Sequence, residues 1–357
     1  MKKAYFNKTV CILLAVSVLS ACAAGKTESA EKDAPAVIGL QRADAESVAE
    51  IKALSAESDA LTLWSTYWDN DNDLVAMREL AGSYEDISLF AAYYKDGEIF
   101  VPEATMHSMN ELRRKSLTSD KDIYLSIVND NEKNGKTEHK STELLWELIG
   151  SKENAEEHAK ELVDLAVRNG YDGIEIDYEK IRKDLKLWEA FLVFEDKLLA
   201  EAKEAGIKVR ILLETQTAMS ELEGRFPEGP EYVIMCYNLY GGGTEPGPKA
   251  DPDFLAEIYE KFKNLPNTSY ALANGGYEWI GGEKNASQIK RADIERILSE
   301  QEIVPVRDEQ SKALYFNYKL KGKEHTIWYA DEKTLSEWAK KLTELSGGKV
   351  KISYWRL

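Results

Sequence analysis

From Leu61 onward, short apolar runs typical of buried strands alternate with longer amphipathic runs typical of helices. Eight runs predict strands: Leu61–Tyr67, Ile87–Tyr93, Ile123–Val128, Gly173–Asp177, Lys208–Leu213, Tyr232–Tyr237, Ser269–Ala273 and Val350–Trp355. Helical patterns between them include Ser151–Asn169, Trp188–Ala205, Pro252–Leu265 and Glu332–Leu345. Strands separated by helices of this length pair in parallel through crossovers. Eight such units predict an α/β fold of the (β/α)8 TIM-barrel type, with the active site at the carboxyl ends of the strands.

The alternation breaks once, between residues 280 and 331. A helical piece there is followed by the runs Ala313–Leu320 and Glu324–Trp328, which Lys321-Gly322-Lys323 would join as a hairpin. We therefore expect a small α+β insertion after the seventh strand. Because a doubly wound open sheet also alternates strands with helices, the order of elements alone leaves that fold open.

The N-terminus carries three lysines within its first eight residues, then an apolar run at Val10–Leu19 that is followed by Ser20-Ala21-Cys22. The run is shorter than the roughly 20 residues of a transmembrane helix, so it indicates an export signal. The segment resembles a bacterial lipoprotein signal, which implies a signal peptide at 1–21, lipidation of Cys22 and an extracytoplasmic, membrane-anchored protein. An ordinary secretory signal with an incidental cysteine is the alternative.

Residues 22–57 are rich in Ala, Glu, Lys and Ser and contain no aromatic residue. Such a stretch buries too little apolar surface to order itself fully, so we expect a tether, within which Ala43–Leu54 could form a short helix. The barrel is then expected at 58–357.

Charge and residue counts limit the classes of binding partner that the chain is expected to have. The formal charge of −17, from 63 acidic and 46 basic residues, repels phosphate backbones, so nucleic acid is not an expected partner, while a neutral sugar polymer, or a wall polymer reached through local contacts, remains compatible with this charge. Cys11 and Cys22 lie in the leader, which leaves Cys236 without a disulfide partner and is typical of a small buried side chain. The four histidines have no metal-ligand spacing, so we expect neither metal nor cofactor, and we expect a monomer.

Three carboxylates occupy alternate positions of the fourth predicted strand and the two residues after it: Glu175, Asp177 and Glu179. Alternation places them on one face, which lines the interior of a barrel. Because carboxylates about 7 Å apart along one face cannot all ionise cheaply, at least one pKa should rise, as a general acid requires. Glu179 lies nearest the mouth. A solvated acidic strand, or a calcium site with further oxygen ligands, would be the alternatives.

The run Asp172-Gly173-x-Glu175-x-Asp177-x-Glu179 resembles the Asp-Gly-x-Asp-x-Asp-x-Glu signature of glycoside hydrolase family 18, the chitinase-like enzymes. Glu175 replaces the middle aspartate of that signature. Met235-Cys236-Tyr237-Asn238 resembles the Met-x-Tyr-Asp of the sixth strand, with Asn238 in place of the aspartate. Ile352-Ser353-Tyr354-Trp355 resembles the eighth strand, whose tryptophan forms the floor of the sugar site.

One motif departs from the family. The third strand usually ends in Ser-x-Gly-Gly, whereas this chain has Ser126-Ile127-Val128-Asn129. The departure favours the branch that includes the spore-cortex and peptidoglycan N-acetylglucosaminidases.

The resemblance implies hydrolysis of β-1,4 bonds next to N-acetylglucosamine in chitin, chitooligosaccharides or peptidoglycan, by the substrate-assisted retaining mechanism. Glu179 would protonate the leaving oxygen, Asp177 would hold the acetamido N–H, and Tyr237 would donate to the acetamido oxygen. Glu175 would share a proton with Asp177.

Substrate contacts are expected from Glu175, Trp355, Asn238, Met235 and Tyr93. Other aromatic residues near strand ends could line further subsites or belong to the core: Trp64, Trp68, Tyr240 and Trp279.

Other functions stay open at this point. Cleavage of protein N-glycans is a variant of the same hydrolysis. A non-catalytic sugar-binding lipoprotein is compatible with the substitutions Glu175 and Asn238, although such proteins generally lack the terminal acid, which is present here as Glu179. A surface protein that uses the barrel only as a scaffold is the third alternative.

Overall fold

The structure, a computed structural model, describes residues 48–49, 51–114, 120–282, 284 and 286–357. The predicted signal peptide, the lipidation site Cys22 and the predicted tether up to residue 47 lie outside the described residues. Among the described helices, none is long and apolar enough to cross a membrane.

The strands of the described residues are numbered in chain order: β1 Leu61–Thr66, β2 Asp86–Lys95, β3 Glu98–Phe100, β4 Asp122–Lys133, β5 Lys136–Glu138, β6 Gly173–Asp177, β7 Lys208–Leu213, β8 Glu231–Met235, β9 Thr268–Ala273, β10 Gly275–Ile280, β11 Ala286–Ile289, β12 Val306–Arg307, β13 Leu314–Leu320, β14 Lys323–Ala330 and β15 Lys351–Trp355. The helices are Asn70–Glu79, Glu103–Arg114, Thr142–Ile149, Lys152–Asn169, Leu185–Ala205, Met219–Leu222, Pro252–Phe262, Arg291–Glu300 and Glu332–Ser346, and residues 51–57 are also helical.

Eight parallel strands close into a barrel in the order β1, β2, β4, β6, β7, β8, β9, β15 and back to β1. Ring closure rests on two parallel pairings of β1, with β2 on one side and with β15 on the other. The (β/α)8 barrel is therefore confirmed, and a doubly wound open sheet is ruled out because that sheet would leave two free edges.

The third barrel strand extends further than its apolar run predicts. Strand β4 continues to Lys133 and turns back through β5, with which it pairs antiparallel. Residues 129–133 are polar (Asn, Asp, Asn, Glu and Lys). The apolar pattern therefore ends at Val128, although the strand itself continues to Lys133. The resulting hairpin stands at the carboxyl end of the barrel, and the segment that follows it contributes to the site.

The α+β insertion after the seventh barrel strand is also confirmed. It contains a five-stranded sheet in the order β11-β10-β14-β13-β12, with the helix Arg291–Glu300 packed on it. Its own buried cluster includes Ile294, Ile297, Phe316 and Ile327. Strand β10 begins at Gly275, directly after β9, so the insertion starts earlier than the expected residue 280.

The folded part begins before residue 58, the expected start of the barrel. Residues 51–57 form a helix whose Ile51 and Leu54 are buried in the main core. These two side chains lie three positions apart on one helical face, which explains why the end of the predicted tether packs against the barrel. Cys236 is a buried free cysteine, as its isolation in the sequence predicted.

Candidate active site

Strand β6 alternates two kinds of side chain. Ile174 and Ile176 are completely buried in the core between barrel and helices, while Glu175 and Asp177 point into the barrel. Glu179 lies two residues beyond the end of the strand, at the mouth. The predicted acidic face therefore exists, although each carboxyl group has a different environment.

The glycine of the acidic motif has a packing reason. Gly173 pairs with Tyr124 of β4, and a Cβ at Gly173 would lie 2.3 Å from the Tyr124 ring. Because only glycine leaves room for this ring, the start of β6 can lie flat beside β4.

The residue before the acid fixes the end of β6 from the outer side. The hydroxyl oxygen of Tyr178 lies 2.8 Å from that of Tyr94 and 2.7 Å from Nε2 of His158. All three side chains are buried, so this cluster joins β6 to β2 and to the helix Lys152–Asn169. With Tyr178 held outward, alternation directs Asp177 inward.

Glu175 is completely buried and is held by three other strands. Its Oε1 accepts hydrogen bonds from Trp64 Nε1 at 2.5 Å and from Ser88 Oγ at 2.7 Å, and its Oε2 pairs with Arg210 Nη1 at 3.1 Å. These contacts differ from the proton shared with Asp177 that the family resemblance implies. The longer glutamate side chain instead reaches strands β1, β2 and β7, and it anchors the site from below.

Asp177 keeps unmet hydrogen-bonding capacity. Its side chain is buried, and its Oδ1 has no hydrogen-bond partner among the described residues. Burial raises the pKa of Asp177 well above its ordinary value, and the neighbouring charge of Glu179 raises it further. An oxygen atom of this kind is poised to bind a polar group of a ligand.

Tyr237 lies close enough to the same acidic groups to interact with their charges. Burial raises the pKa of Tyr237 well above its ordinary value, and the charges of Asp177 and Glu179 add to the effect. The phenol therefore keeps its proton across the physiological range and can act as a hydrogen-bond donor.

The main chain of Glu179 is held by one amide side chain. Asn129 Oδ1 accepts from the Glu179 N–H at 3.0 Å, and Asn129 Nδ2 donates to the Glu179 carbonyl at 3.1 Å and to the Ser141 carbonyl at 3.2 Å. Asn129 is completely buried. In the sequence it appeared only as a departure from the family's third strand, so its role was not predicted.

The carboxylate of Glu179 contacts Lys140, whose Nζ donates to Oε2. Burial raises the pKa of Glu179 above its ordinary value, Lys140 opposes this rise, and the charges of Glu214 and Asp130 add to it. No sequence signal pointed to Lys140, which lies in a polar segment 39 positions before the acid.

The loop after Glu179 is fixed by Glu214, which directly follows strand β7. Its Oε2 accepts from the Lys180 N–H at 2.7 Å and its Oε1 from Arg182 Nε at 3.0 Å. Lys180 and Arg182 both have positive φ, at 65° and 44°. The two contacts therefore stabilise a backbone conformation that non-glycine residues rarely adopt.

An aromatic cluster forms the floor beside the carboxylates. The Trp355 ring meets Trp64 edge-on at 5.7 Å and Phe90 at 4.9 Å, and Met235 is buried in the same cluster. Trp355 is half-buried, so it keeps one part of its ring accessible, whereas Trp64 is core. Trp68, which is 44% exposed, extends the aromatic surface beyond Phe90.

The contacts of two expected substrate-binding residues are with side chains other than the acids. Asn238 is exposed at the rim, where its Oδ1 accepts from Thr215 Oγ1 at 2.9 Å. The Tyr93 ring packs at 5.3 Å against Phe100 in the β2–β3 hairpin. Trp279 is buried, with its Nε1 bonded to the Thr244 carbonyl at 3.0 Å, and therefore belongs to the packing of the insertion.

In the described part of the chain, no group of three or more His, Cys, Asp or Glu side chains could hold a metal ion. The site instead offers a buried carboxyl, a second carboxyl at the mouth, a phenol and an aromatic floor: Asp177, Glu179, Tyr237 and Trp355.

Comparison with known proteins supports the barrel fold. No profile of a known protein family matches the sequence. Over 208 residues the chain is 21% identical to an uncharacterized glycosylase, YvbX, of Bacillus subtilis, a match that covers 54% of this chain and 60% of that relative. The matched region thus spans less than two thirds of the relative's length.

Solved structures share the fold over most of the chain. The spore cortex-lytic enzyme SleL of Bacillus cereus superimposes with a TM-score of 0.66 at 18% identity, over 83% of this chain and 70% of that one. A chitinase of Chromobacterium violaceum superimposes with a TM-score of 0.67 at 16% identity, over 83% of this chain and 93% of that one. At these identities the likeness establishes a common barrel fold.

Proposed function

We propose that this protein is a glycoside hydrolase that cleaves β-1,4 bonds next to N-acetylglucosamine by substrate-assisted, retaining catalysis. One observation carries the proposal: three acidic side chains follow one another along β6 toward the barrel mouth, and Tyr237 and an aromatic floor face them. The carboxyl ends of barrel strands are where enzymes of this fold bind substrate.

Glu179 is the acid and base of the proposed reaction. It donates a proton to the glycosidic oxygen as the bond to the anomeric carbon breaks, and it later removes a proton from the attacking water. Its position at the mouth, half-buried and with the main chain held by Asn129, supports this role.

Asp177 and Tyr237 act on the substrate's own acetamido group. The acetamido oxygen attacks the anomeric carbon, so the nucleophile belongs to the sugar and no second carboxylate has to bond to it. The Asp177 oxygen that has no hydrogen-bond partner among the described residues accepts from the acetamido N–H, and the Tyr237 hydroxyl donates to the acetamido oxygen. Trp355 stacks on the sugar ring.

The names of the structural neighbours support spore cortex and chitin as candidate substrates, and the B. subtilis relative's name supports a glycosylase. The departure at Asn129 favours peptidoglycan within this range. Product analysis on chitooligosaccharides and purified peptidoglycan in parallel distinguishes the two.

Replacing the acid tests the proposal. Glu179→Gln removes the donated proton and should lower turnover by about 10²–10⁴-fold while sugar binding stays intact. The measurements are release of reducing ends and binding of chitooligosaccharides by calorimetry. Glu344→Gln, which changes an exposed glutamate on the last helix, is the matched control and should leave both unchanged. Undiminished hydrolysis in Glu179→Gln would remove Glu179 from the mechanism.

A sugar-binding protein without turnover is the second candidate. The ion pair between Glu179 and Lys140 favours it, because the pair stabilises the ionised carboxylate, which cannot donate a proton. Binding of chitooligosaccharides and peptidoglycan fragments by the wild-type protein, with no release of reducing ends from either, would decide for this function.

We also propose that the protein is lipid-anchored at Cys22 on the outer side of the cell membrane. The proposal rests on the sequence pattern before Cys22. Cys22→Ala should move the protein from the membrane fraction to the soluble fraction, as followed by immunoblotting. A variant that stays in the membrane fraction would argue against the anchor.

A further inference from the structure

Lys140 occupies a fixed place beside the acid. Its backbone has a φ of 57°, and its N–H donates to Asp130 Oδ1 at 2.8 Å. The adjacent His139 carbonyl accepts from Lys180 Nζ at 2.7 Å, so the segment is tied to the loop that follows Glu179. The Lys140 side chain nevertheless remains 41% exposed, against 15% for that of Glu179.

Charged and titratable groups from several elements lie around Glu179. The acidic and phenolic groups come from β4, from β6 and from the ends of β7 and β8; they are Asp130, Asp177, Glu214 and Tyr237. The basic groups come from the segment after β5 and from the loop after Glu179; they are His139, Lys140, Lys180 and Arg182. Lys180 and Arg182 direct their side chains to the His139 carbonyl and to Glu214. In the described part of the chain, Lys140 is the cation that contacts the Glu179 carboxylate itself.

This contact conflicts with acid catalysis as it stands. Contact with an ammonium group favours the ionised form of the Glu179 carboxyl group, whereas the first chemical step needs a carboxylic acid whose proton points at the glycosidic oxygen. The surrounding acids Asp130, Asp177 and Glu214 oppose a negative charge on Glu179, and Lys140 no longer balances this effect once its ammonium group leaves.

We propose that Lys140 is a positioning residue that keeps Glu179 ionised until a sugar chain enters the mouth and displaces the ammonium group, after which Glu179 takes up from solvent the proton that it donates. The proposal rests on the proposed hydrolase function. In this role Lys140 determines when Glu179 is charged. Neither the acidic motif nor the barrel fold provides such control.

The side chain can make this movement without the backbone. The main chain of Lys140 is held through Asp130, while its four-carbon side chain is partly exposed and flexible. Displacement returns the ammonium group to water, where it is well solvated. The sugar then excludes water from Glu179, which favours the neutral acid further.

A titration that needs no substrate tests the first half of the proposal. In protein labelled with 13C at the glutamate carboxyl carbons, the resonance missing from Glu179→Gln identifies Glu179. Lys140→Met should raise its titration midpoint by about one pH unit, because an opposite charge in contact lowers a carboxyl pKa by about 1–3 units. Lys140→Arg should keep the wild-type midpoint. Lys136→Met, which removes an exposed lysine from β5, is the matched control and should also leave it unchanged.

Kinetics tests the second half. The pH dependence of kcat/KM reports groups of the free enzyme, and that of kcat reports groups of the substrate complex. With whichever of chitotetraose and peptidoglycan is cleaved, Lys140→Met should move the alkaline limb of kcat/KM up by about one pH unit. At pH values above the alkaline limbs of both proteins, the kcat/KM of Lys140→Met should exceed that of the wild type by about tenfold. The alkaline limb of kcat should stay in place, because Lys140 has already left in the complex.

Each outcome decides a separate point. An unchanged carboxyl titration in Lys140→Met overturns the control of Glu179 by Lys140. Equal movement of the kcat and kcat/KM limbs shows that Lys140 stays in contact during the reaction and overturns the displacement. Absence of hydrolysis by the wild-type protein overturns the proposed function and leaves the titration result valid.

Discussion

One buried amide, that of Asn129, holds both main-chain groups of Glu179 and also bonds to the carbonyl of Ser141. Because Glu179 lies beyond the last residue of β6, no strand pairing fixes it there, and the amide takes the place of a partner strand. Ser141 directly follows Lys140, so the same side chain sets the distance between acid and cation. Asn129 is therefore the residue on which the geometry of the Glu179–Lys140 pair depends.

Asn129→Ala should weaken both stability and catalysis. Removing the amide leaves buried main-chain groups without partners, at a cost of about 1–3 kcal/mol in the free energy of unfolding. The acid loses its fixed position, and misplacement of a catalytic group by about 1 Å can cost about 10²-fold in rate. Urea unfolding and kcat on the cleaved substrate measure the two effects.

A surface amide provides the control for this substitution. Asn264 is exposed and donates its Nδ2 to Glu223 at 2.8 Å, so Asn264→Ala should change neither the free energy of unfolding nor kcat appreciably. Asn129→Ala with wild-type kcat would show that strand β6 alone positions Glu179.

At the level of elements, the barrel strands could be predicted because each one is buried on both faces. The predicted boundaries of Gly173–Asp177 and Lys208–Leu213 coincide with β6 and β7, and those of the other barrel strands differ at their ends, most of all in β4. A strand with two buried faces appears in the sequence as an uninterrupted apolar run, or as apolar residues alternating with a functional face. The acidic alternation in β6 was recognisable for this reason.

The β4–β5 hairpin could not be predicted in the same way. Its residues are polar and most of them are partly or fully exposed, and a polar run is equally typical of a loop. Asn129 and Lys140 lie in and just after this hairpin, so their approach to Glu179 depends on strand pairing and not on local pattern. The partners of Glu175 raise the same difficulty, since Trp64 is 111 positions away in the chain.

At the level of the whole molecule, Arg210 crosses the barrel interior and connects most of its strands. From β7 its guanidinium pairs with Glu175 of β6 at 3.1 Å and Glu231 of β8 at 3.2 Å, and it donates to Ser353 of β15 at 2.5 Å. The Trp64 ring of β1 lies 5.4 Å from it. Burial disfavours its charged form, but the carboxylates Glu231 and Glu175 raise the pKa of Arg210 above its ordinary value.

The same arginine therefore joins barrel closure to the acidic strand. Arg210→Met would leave Glu175, which is completely buried, without its cation, and breaking a buried pair in this way costs about 3–5 kcal/mol. Lys208→Met is the matched control on the same strand, because Lys208 is 61% exposed and pairs with Asp122 at the surface. Its loss should cost less than about 1 kcal/mol in urea unfolding.

A double variant separates the charge from the packing. If the cost of Arg210→Met comes from an unpaired buried carboxylate, then adding Glu175→Gln should recover part of it, since the amide oxygen can still accept from Trp64 and Ser88. If the double variant is instead as unstable as the sum of the two single variants, the guanidinium contributes through its contacts with the aromatic rings and with Ser353. The barrel would then be held by packing around Arg210, and Glu175 would serve the site alone.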